Sequence, residues 1–117
     1  MADERTGCSQ VQTAAGSREE ADRIATVLVE GRLAACVQVV GPVESRYWWE
    51  GRLETATEWL CLAKTTDDRV ADVVAAVRAA HSYDTPEVIT LAVTGGDPGY
   101  LRWVAEVAGG EGARSRP

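Results

Sequence analysis

The sequence predicts an α+β fold of the order β-α-β-β-α-β-α, and three observations predict it. Apolar residues recur at helical spacing in three separate windows, and strand-like runs rich in Val, Leu and Thr lie between them. The second and third of those runs face each other across a tight Glu50-Gly51 turn. A chain of 117 residues holds one such domain and leaves no room for two. Its 45% hydrophobic and 26% charged residues place it with ordinary globular proteins rather than with disordered or disulfide-dense chains.

The first strand is expected over Cys8 to Ala14, the weakest of the four. Ser17 followed three residues later by Glu20 is a capping box, after which Ala21, Ile24, Ala25 and Leu28 mark a helix that Gly31 stops. The second strand starts at Leu33 and continues through Trp49; after the turn, the third runs back from Arg52 to Thr65. Thr66-Asp67-Asp68 offers a cap and an acidic first turn, and Val70, Val73, Val74 and Val77 then fall on one helical face. The fourth strand is expected over Val88 to Thr94. Asp97-Pro98 opens a third helix with Tyr100, Trp103, Val104 and Val107 as its apolar stripe. The polar residues 1–7 and the Gly- and Arg-rich residues 109–117 read as flexible tails around a folded domain at 8–108. Two right-handed β-α-β halves sharing a central hairpin, with helices packed on one face of an antiparallel sheet, make a ferredoxin-like sandwich.

The hairpin is unusual for its length. Arms of about 14 to 16 residues reach roughly 45 to 50 Å at about 3.3 Å per residue, whereas a domain of this size has a radius of gyration near 13 Å. The outer part, with Tyr47, Trp48 and Trp49, is therefore expected to overhang its own core and to mark an interface with other copies. The plainer alternative is a shorter strand whose aromatic loop packs back on its own domain. Gly41-Pro42, midway along the outgoing arm, predicts a bend or bulge.

Charge and cysteine usage limit the function classes. Twelve basic against eighteen acidic residues give a formal charge of −6, which repels a phosphate backbone and excludes general nucleic-acid binding. No apolar run approaches the roughly 20 residues of a membrane-spanning helix. The opening Met-Ala-Asp-Glu-Arg lacks the basic-then-apolar order of a signal peptide, so a cytoplasmic location is expected. Cys8, Cys36 and Cys61 are odd in number and widely spaced, which fits free thiols; Cys36 and Cys61 lie in apolar runs and read as small core residues.

Candidate chemistry is sparse. His81 is the single histidine and falls at the expected C-terminal end of the second helix, where it caps the helix or, with Asp84 or a group from another subunit, ligates a metal. Lys64, the single lysine, closes the third strand and would meet Glu87 or a small anion near Tyr83, in a cleft at a subunit junction. Gly95-Gly96-Asp97 reads as a helix cap, since the Asp97 carboxylate stands where an anion would otherwise bind. There is no Gly-x-Ser-x-Gly elbow and no second histidine, so no enzyme is expected, although sequence alone leaves a Cys-His dyad open.

Taken together, GRLAACVQVVGPVESRYWWEGRLE at 31–54, AKTT at 63–66 and AHSYDTPEVITLAVTGGDPGYLRWV at 80–104 resemble the CutA divalent-cation tolerance family, over roughly Val11 to Val107. The resemblance implies a ferredoxin-like protomer, a homotrimer whose extended hairpins complete the neighbours' sheets, an architecture similar to the PII signalling proteins, and a role in the response to divalent metals, copper above all. It implies no catalytic reaction. Metal-binding members resemble a pattern with a Cys at the end of strand one and a His-His pair before the Tyr-Thr-Pro-Glu segment; the matching positions here are Gln12, Ala80 and His81. One imidazole per chain remains, so copper or a similar metal is expected to bind no tighter than about micromolar. The other reading is a small-molecule-responsive signalling module using the clefts near Lys64 and Tyr83.

Overall fold

The computed structural model describes residues 6–109. The expected tails at 1–7 and 109–117 thus lie outside the described residues except for Thr6, Gly7 and Gly109. Those three are tied down rather than loose. Thr6 Oγ1 donates to Val93 O at 2.7 Å and accepts from Cys8 N–H at 3.1 Å, Gly7 O accepts from Asp67 N–H, and Gly109 N–H closes the last helix on Ala105 O.

The elements are β1 (Cys8–Ala15), α1 (Arg18–Glu30), β2 (Cys36–Trp49), β3 (Arg52–Thr66), α2 (Val70–Ala80), β4 (Val88–Ala92) and α3 (Pro98–Ala108). They form a mixed α+β domain whose sheet has the order β2-β3-β1-β4, with every neighbouring pair antiparallel. Local chemistry sets the helix ends. Ser17 Oγ accepts from Glu20 N–H at 3.1 Å, and Gly31 closes α1 on Val27 O. Asp97 caps α3 through Tyr100 N–H, with Pro98 at its first position.

The ends of β1 and β3 fall one residue later than expected, at Ala15 and Thr66, and three other boundaries move further. Strand pairing in β2 begins at Cys36 rather than Leu33, because the N–H groups of Leu33 and Ala34 both turn back to Leu28 O to finish α1. Asp67–Arg69 form a separate 3-10 turn before α2; Thr66 makes no side-chain cap, and its hydroxyl bonds to Asp68 instead. β4 stops at Ala92, although Val93 N–H still reaches Cys8 O.

The main core lies on one face of the sheet. Val11, Ala15, Cys61 and Ala63 from the strands meet Ala21, Ile24 and Leu28 of α1 and Val73 and Val77 of α2. α3 does not join them, contrary to the expectation of all helices on one face. Cys8 alternates to the side opposite Val11, and with Ala35 it packs against Val104 and Ala108 in a second, smaller core. The rest of that outer face carries exposed Val40, Ile89 and Leu91.

The hairpin ladder runs without interruption to the turn except for a bulge between Val40 and Val43, and it pairs Trp49 with Arg52. Glu50 and Gly51 both have positive φ, as a two-residue hairpin turn requires. The bulge has a steric partner: a Cβ on Gly41 would stand 2.5 Å from Trp59 Cδ1. The overhang is visible in the dimensions, 44 × 36 × 22 Å with a radius of gyration of 15.1 Å, against about 13 Å for a compact chain of this length. Trp48 is 72% exposed, so the aromatic tip does not fold back on its own domain.

Candidate functional site

The densest polar cluster forms where the end of β1, the start of α1 and the α2–β4 loop meet the root of the hairpin. α2 ends as His81 leaves helical conformation. The His81 side chain is fully buried. Its Nε2 lies 2.8 Å from Ala14 O, and its Nδ1 accepts from Tyr83 N–H at 3.1 Å. The second bond requires a lone pair on Nδ1, so Nε2 carries the proton and donates to the carbonyl. Both ring nitrogens are therefore engaged within the chain.

Glu20 sits beside the ring. It is not confined to the capping box: Oε1 accepts from Gly16 N–H at 3.3 Å and Oε2 from Ser82 N–H at 2.7 Å, with Arg23 at 3.6 Å and His81 Nδ1 at 4.0 Å. Burial by itself would raise this carboxyl. The hydrogen bonds from Ser82 and Gly16 outweigh that and hold it below the ordinary glutamate range.

Tyr83 extends the cluster to the hairpin. Its hydroxyl donates to Glu58 Oε2 at 3.2 Å, and its ring lies 4.8 Å from the His81 ring. Glu58 is only 8% exposed, and Tyr83 is the one hydrogen-bond partner of its side chain among the described residues. Burial first, then the Glu58 carboxylate, push the Tyr83 phenol up to about 12. Gly16 makes room for this hydroxyl, since a Cβ there would lie 2.8 Å from it.

The other expected ligands behave differently. Gln12 Nε2 donates to Glu87 Oε2 at 3.0 Å, and Ala80 has no donor atom. Lys64 Nζ donates to Gln38 Oε1 at 2.8 Å, so within one chain it does not pair with Glu87 as the sequence led one to expect. Nor does it approach Tyr83, whose partner Glu58 lies six residues away along β3, roughly 20 Å at about 3.3 Å per residue. Burial pulls the Lys64 ammonium below its usual value, a trend that the nearby Cys36 opposes. Lys64, Tyr83 and Glu87 thus occupy three separate contacts in the single chain. Tyr47, Trp48 and Trp49 stand exposed at the arm's end.

A resident copper or similar ion does not fit the residues at the matching positions. Binding at His81 would break one of the ring's two hydrogen bonds, Ala80 offers nothing, and Gln12 is held by Glu87. No cluster of three or more His, Cys, Asp or Glu side chains suited to a metal occurs among the described residues. The thiols offer no substitute: burial raises Cys8, and it drives Cys61 up to about 11 while Sγ donates to Ala21 O. Sequence reasoning found His81 and Tyr83 but missed Glu58. Its one signal was a carboxylate at an even position of β3, in register with Leu60 and Leu62.

Comparison with known proteins bears on the same segments. Residues 9–107 match the family model described as CutA1 divalent ion tolerance protein. The chain is 44% identical over 92 residues to the divalent-cation tolerance protein CutA of Archaeoglobus fulgidus, covering 79% of this chain and 89% of the relative. It is 41% identical over 88 residues to the chloroplastic CutA 1 of rice, covering 75% of this chain but only 50% of that longer protein. The A. fulgidus structure, described as a periplasmic divalent cation tolerance protein, superposes with a TM-score of 0.83 at 40% identity, over 86% of this chain and 98% of the other. The Thermus thermophilus divalent cation tolerance protein gives 0.83 at 38% identity, over 86% and 97%. The family match over nearly the whole described fold, together with these identities, shows that the chain belongs to the CutA1 divalent ion tolerance protein family.

Proposed function

We propose that the protein is a homotrimer that serves divalent-ion tolerance by binding and assembly rather than by turnover. The observation that carries this reading is the arm: residues 43–58 pair only with each other, and their aromatic end is exposed. An isolated two-stranded ribbon is marginal in water, so a second copy is the natural support. The sheet order β2-β3-β1-β4 supports the ferredoxin-like description and leaves β2 and β4 as edges, which can pair head to tail between copies and close a ring. The apolar residues Val40, Ile89 and Leu91 on the outer face extend the surface to be covered.

Divalent cations, copper included, are held weakly by an acidic protein of net charge −6. A cytoplasmic location is supported by the free thiols of Cys8, Cys36 and Cys61; the A. fulgidus relative is described as periplasmic, and cell fractionation decides. No helix among the described residues is long and apolar enough to cross a membrane. The comparisons give the small-molecule signalling alternative no support.

Light scattering tests the assembly. A mass about three times that of the 12.5 kDa chain is expected; a monomer at micromolar concentration overturns the trimer. Calorimetry with copper and zinc in about 0.15 M salt tests the metal reading, with micromolar or weaker binding expected. Nanomolar affinity would mean that a dedicated site exists elsewhere.

A further inference from the structure

We infer that His81, Tyr83 and Glu58 form a latch that fixes the pose of the hairpin arm, and that this latch stands in place of metal ligation at His81. The inference does not rest on the trimer. Beyond the bulge at Val40 to Val43, the two strands pair with each other alone. Two contacts stand out between the root of the arm and the rest of the domain. One is Trp59, whose ring lies over Gly41 and packs against the main core, and whose backbone pairs with Ala15 of β1. The other is the Tyr83 hydroxyl on Glu58, which comes from the α2–β4 loop and is the polar tie.

The loop is rigid at the point where it matters. His81 is anchored to β1 through Ala14 O, and its Nδ1 holds the Tyr83 backbone N–H. Glu20 holds the intervening Ser82 N–H, so three consecutive residues are fixed from β1 and α1. Tyr83 is thereby positioned with its ring against His81 and its hydroxyl on a nearly buried carboxylate. His81 is a positioning residue: its two nitrogens do the anchoring, and a metal on either one would undo the latch. By linkage, anything that needs the arm in its present pose opposes a cation at His81.

Two measurements on the full chain test this. In hydrogen exchange, Tyr83→Phe keeps the ring and loses the hydroxyl, and the backbone amides of 43–46 and 55–58 should exchange about tenfold faster, the effect of losing a bond to a charged acceptor. Glu58→Gln still accepts from the hydroxyl, now as a neutral acceptor, and should exchange only about threefold faster than the parent. Unchanged exchange in Tyr83→Phe overturns the latch. Light scattering on the same samples should give the parent's mass; if Tyr83→Phe dissociates, the bond belongs to subunit contact and the latch is again overturned. In the second measurement, zinc chloride is added to the parent at up to about 1 mM in about 0.15 M salt, and the His81 ring nitrogens are followed by NMR. Resonances that keep the Nε2–H tautomer are expected. A zinc-dependent shift at micromolar concentration would make His81 a ligand and overturn the second half of the inference.

Discussion

The two halves of the β2–β3 hairpin share one ladder and differ in everything else. Near the sheet, Val37, Val39 and Trp59 pack against a core that includes Cys61, Ala63, Ile24 and Val77. Beyond the bulge the same ladder continues, yet Trp48 and its cross-strand partner Leu53 are 72% and 63% exposed. Backbone pairing is equal in the two halves, and burial is not. The difference teaches that hydrogen bonding sets the shape of this arm without supplying its stability, because the net contribution of each such bond is only about 1 kcal/mol. What the root obtains from α1 and α2, the tip must obtain from outside the chain.

The largest effect is expected from removing the root's support. Ile24 is fully buried in the main core, so Ile24→Ala should cost about 2–5 kcal/mol of folding stability, measured by denaturant midpoint at constant slope. At the tip, Trp49→Ala should leave the fold intact and weaken association by about 2 kcal/mol or more, read from dissociation on dilution. If Trp49→Ala lowers folding stability as Ile24→Ala does while the mass is unchanged, the tip is held from within the chain as the root is.

The boundary between the halves gives a smaller effect. A methyl on Gly41 meets the Trp59 ring at 2.5 Å and Glu58 O at 3.1 Å, so either the ring or the bulge must move. Gly41→Ala is expected to cost about 1–3 kcal/mol. The Trp59 indole N–H resonance, compared in the Gly41→Ala and Gly95→Ala variants, localises the cause: nothing lies within 4 Å of a Cβ on Gly95. A silent Gly41→Ala would show that the arm's departure angle is soft.

Elements of the fold were legible because each carried a local signal. Ser17-x-x-Glu20, Asp97-Pro98 and the valine spacing of α2 act within one turn, and the Glu50-Gly51 turn fixes register without help from distant residues. The start of β2 was misplaced because Leu33 and Ala34 look like strand by composition while their N–H groups finish α1. α3 was misassigned to the common face because sequence periodicity shows that a helix has an apolar stripe but not which side of the sheet receives it. At the site, His81 and Tyr83 were legible as unusual residues. Their partners were not: Glu58 lies 25 residues from Tyr83, and the Glu20 carboxylate was read as a local cap although it reaches Ser82, 62 residues away.

The smallest expected effect is the pH dependence of the junction that joins the halves. Glu20, faced by Arg23 and His81 and bonded by Ser82 and Gly16, titrates below its unfolded value. A carboxyl depressed in the fold stabilises it above the unfolded value and loses that contribution as pH falls through the folded one. Tyr83, faced by Glu58, Tyr47 and Glu20, shifts the other way, from 10.0 to about 12. An acid raised in the fold keeps its full contribution below pH 10 and loses it as pH climbs toward 12, because the folded state then binds more protons than the unfolded one. Melting temperature against pH should therefore fall at both ends, with Glu20→Gln flattening the acid limb and Tyr83→Phe the alkaline limb. If Glu20→Gln melts with the parent's acid slope, the junction is not held by that carboxylate, and the root of the arm owes its order to the apolar core alone.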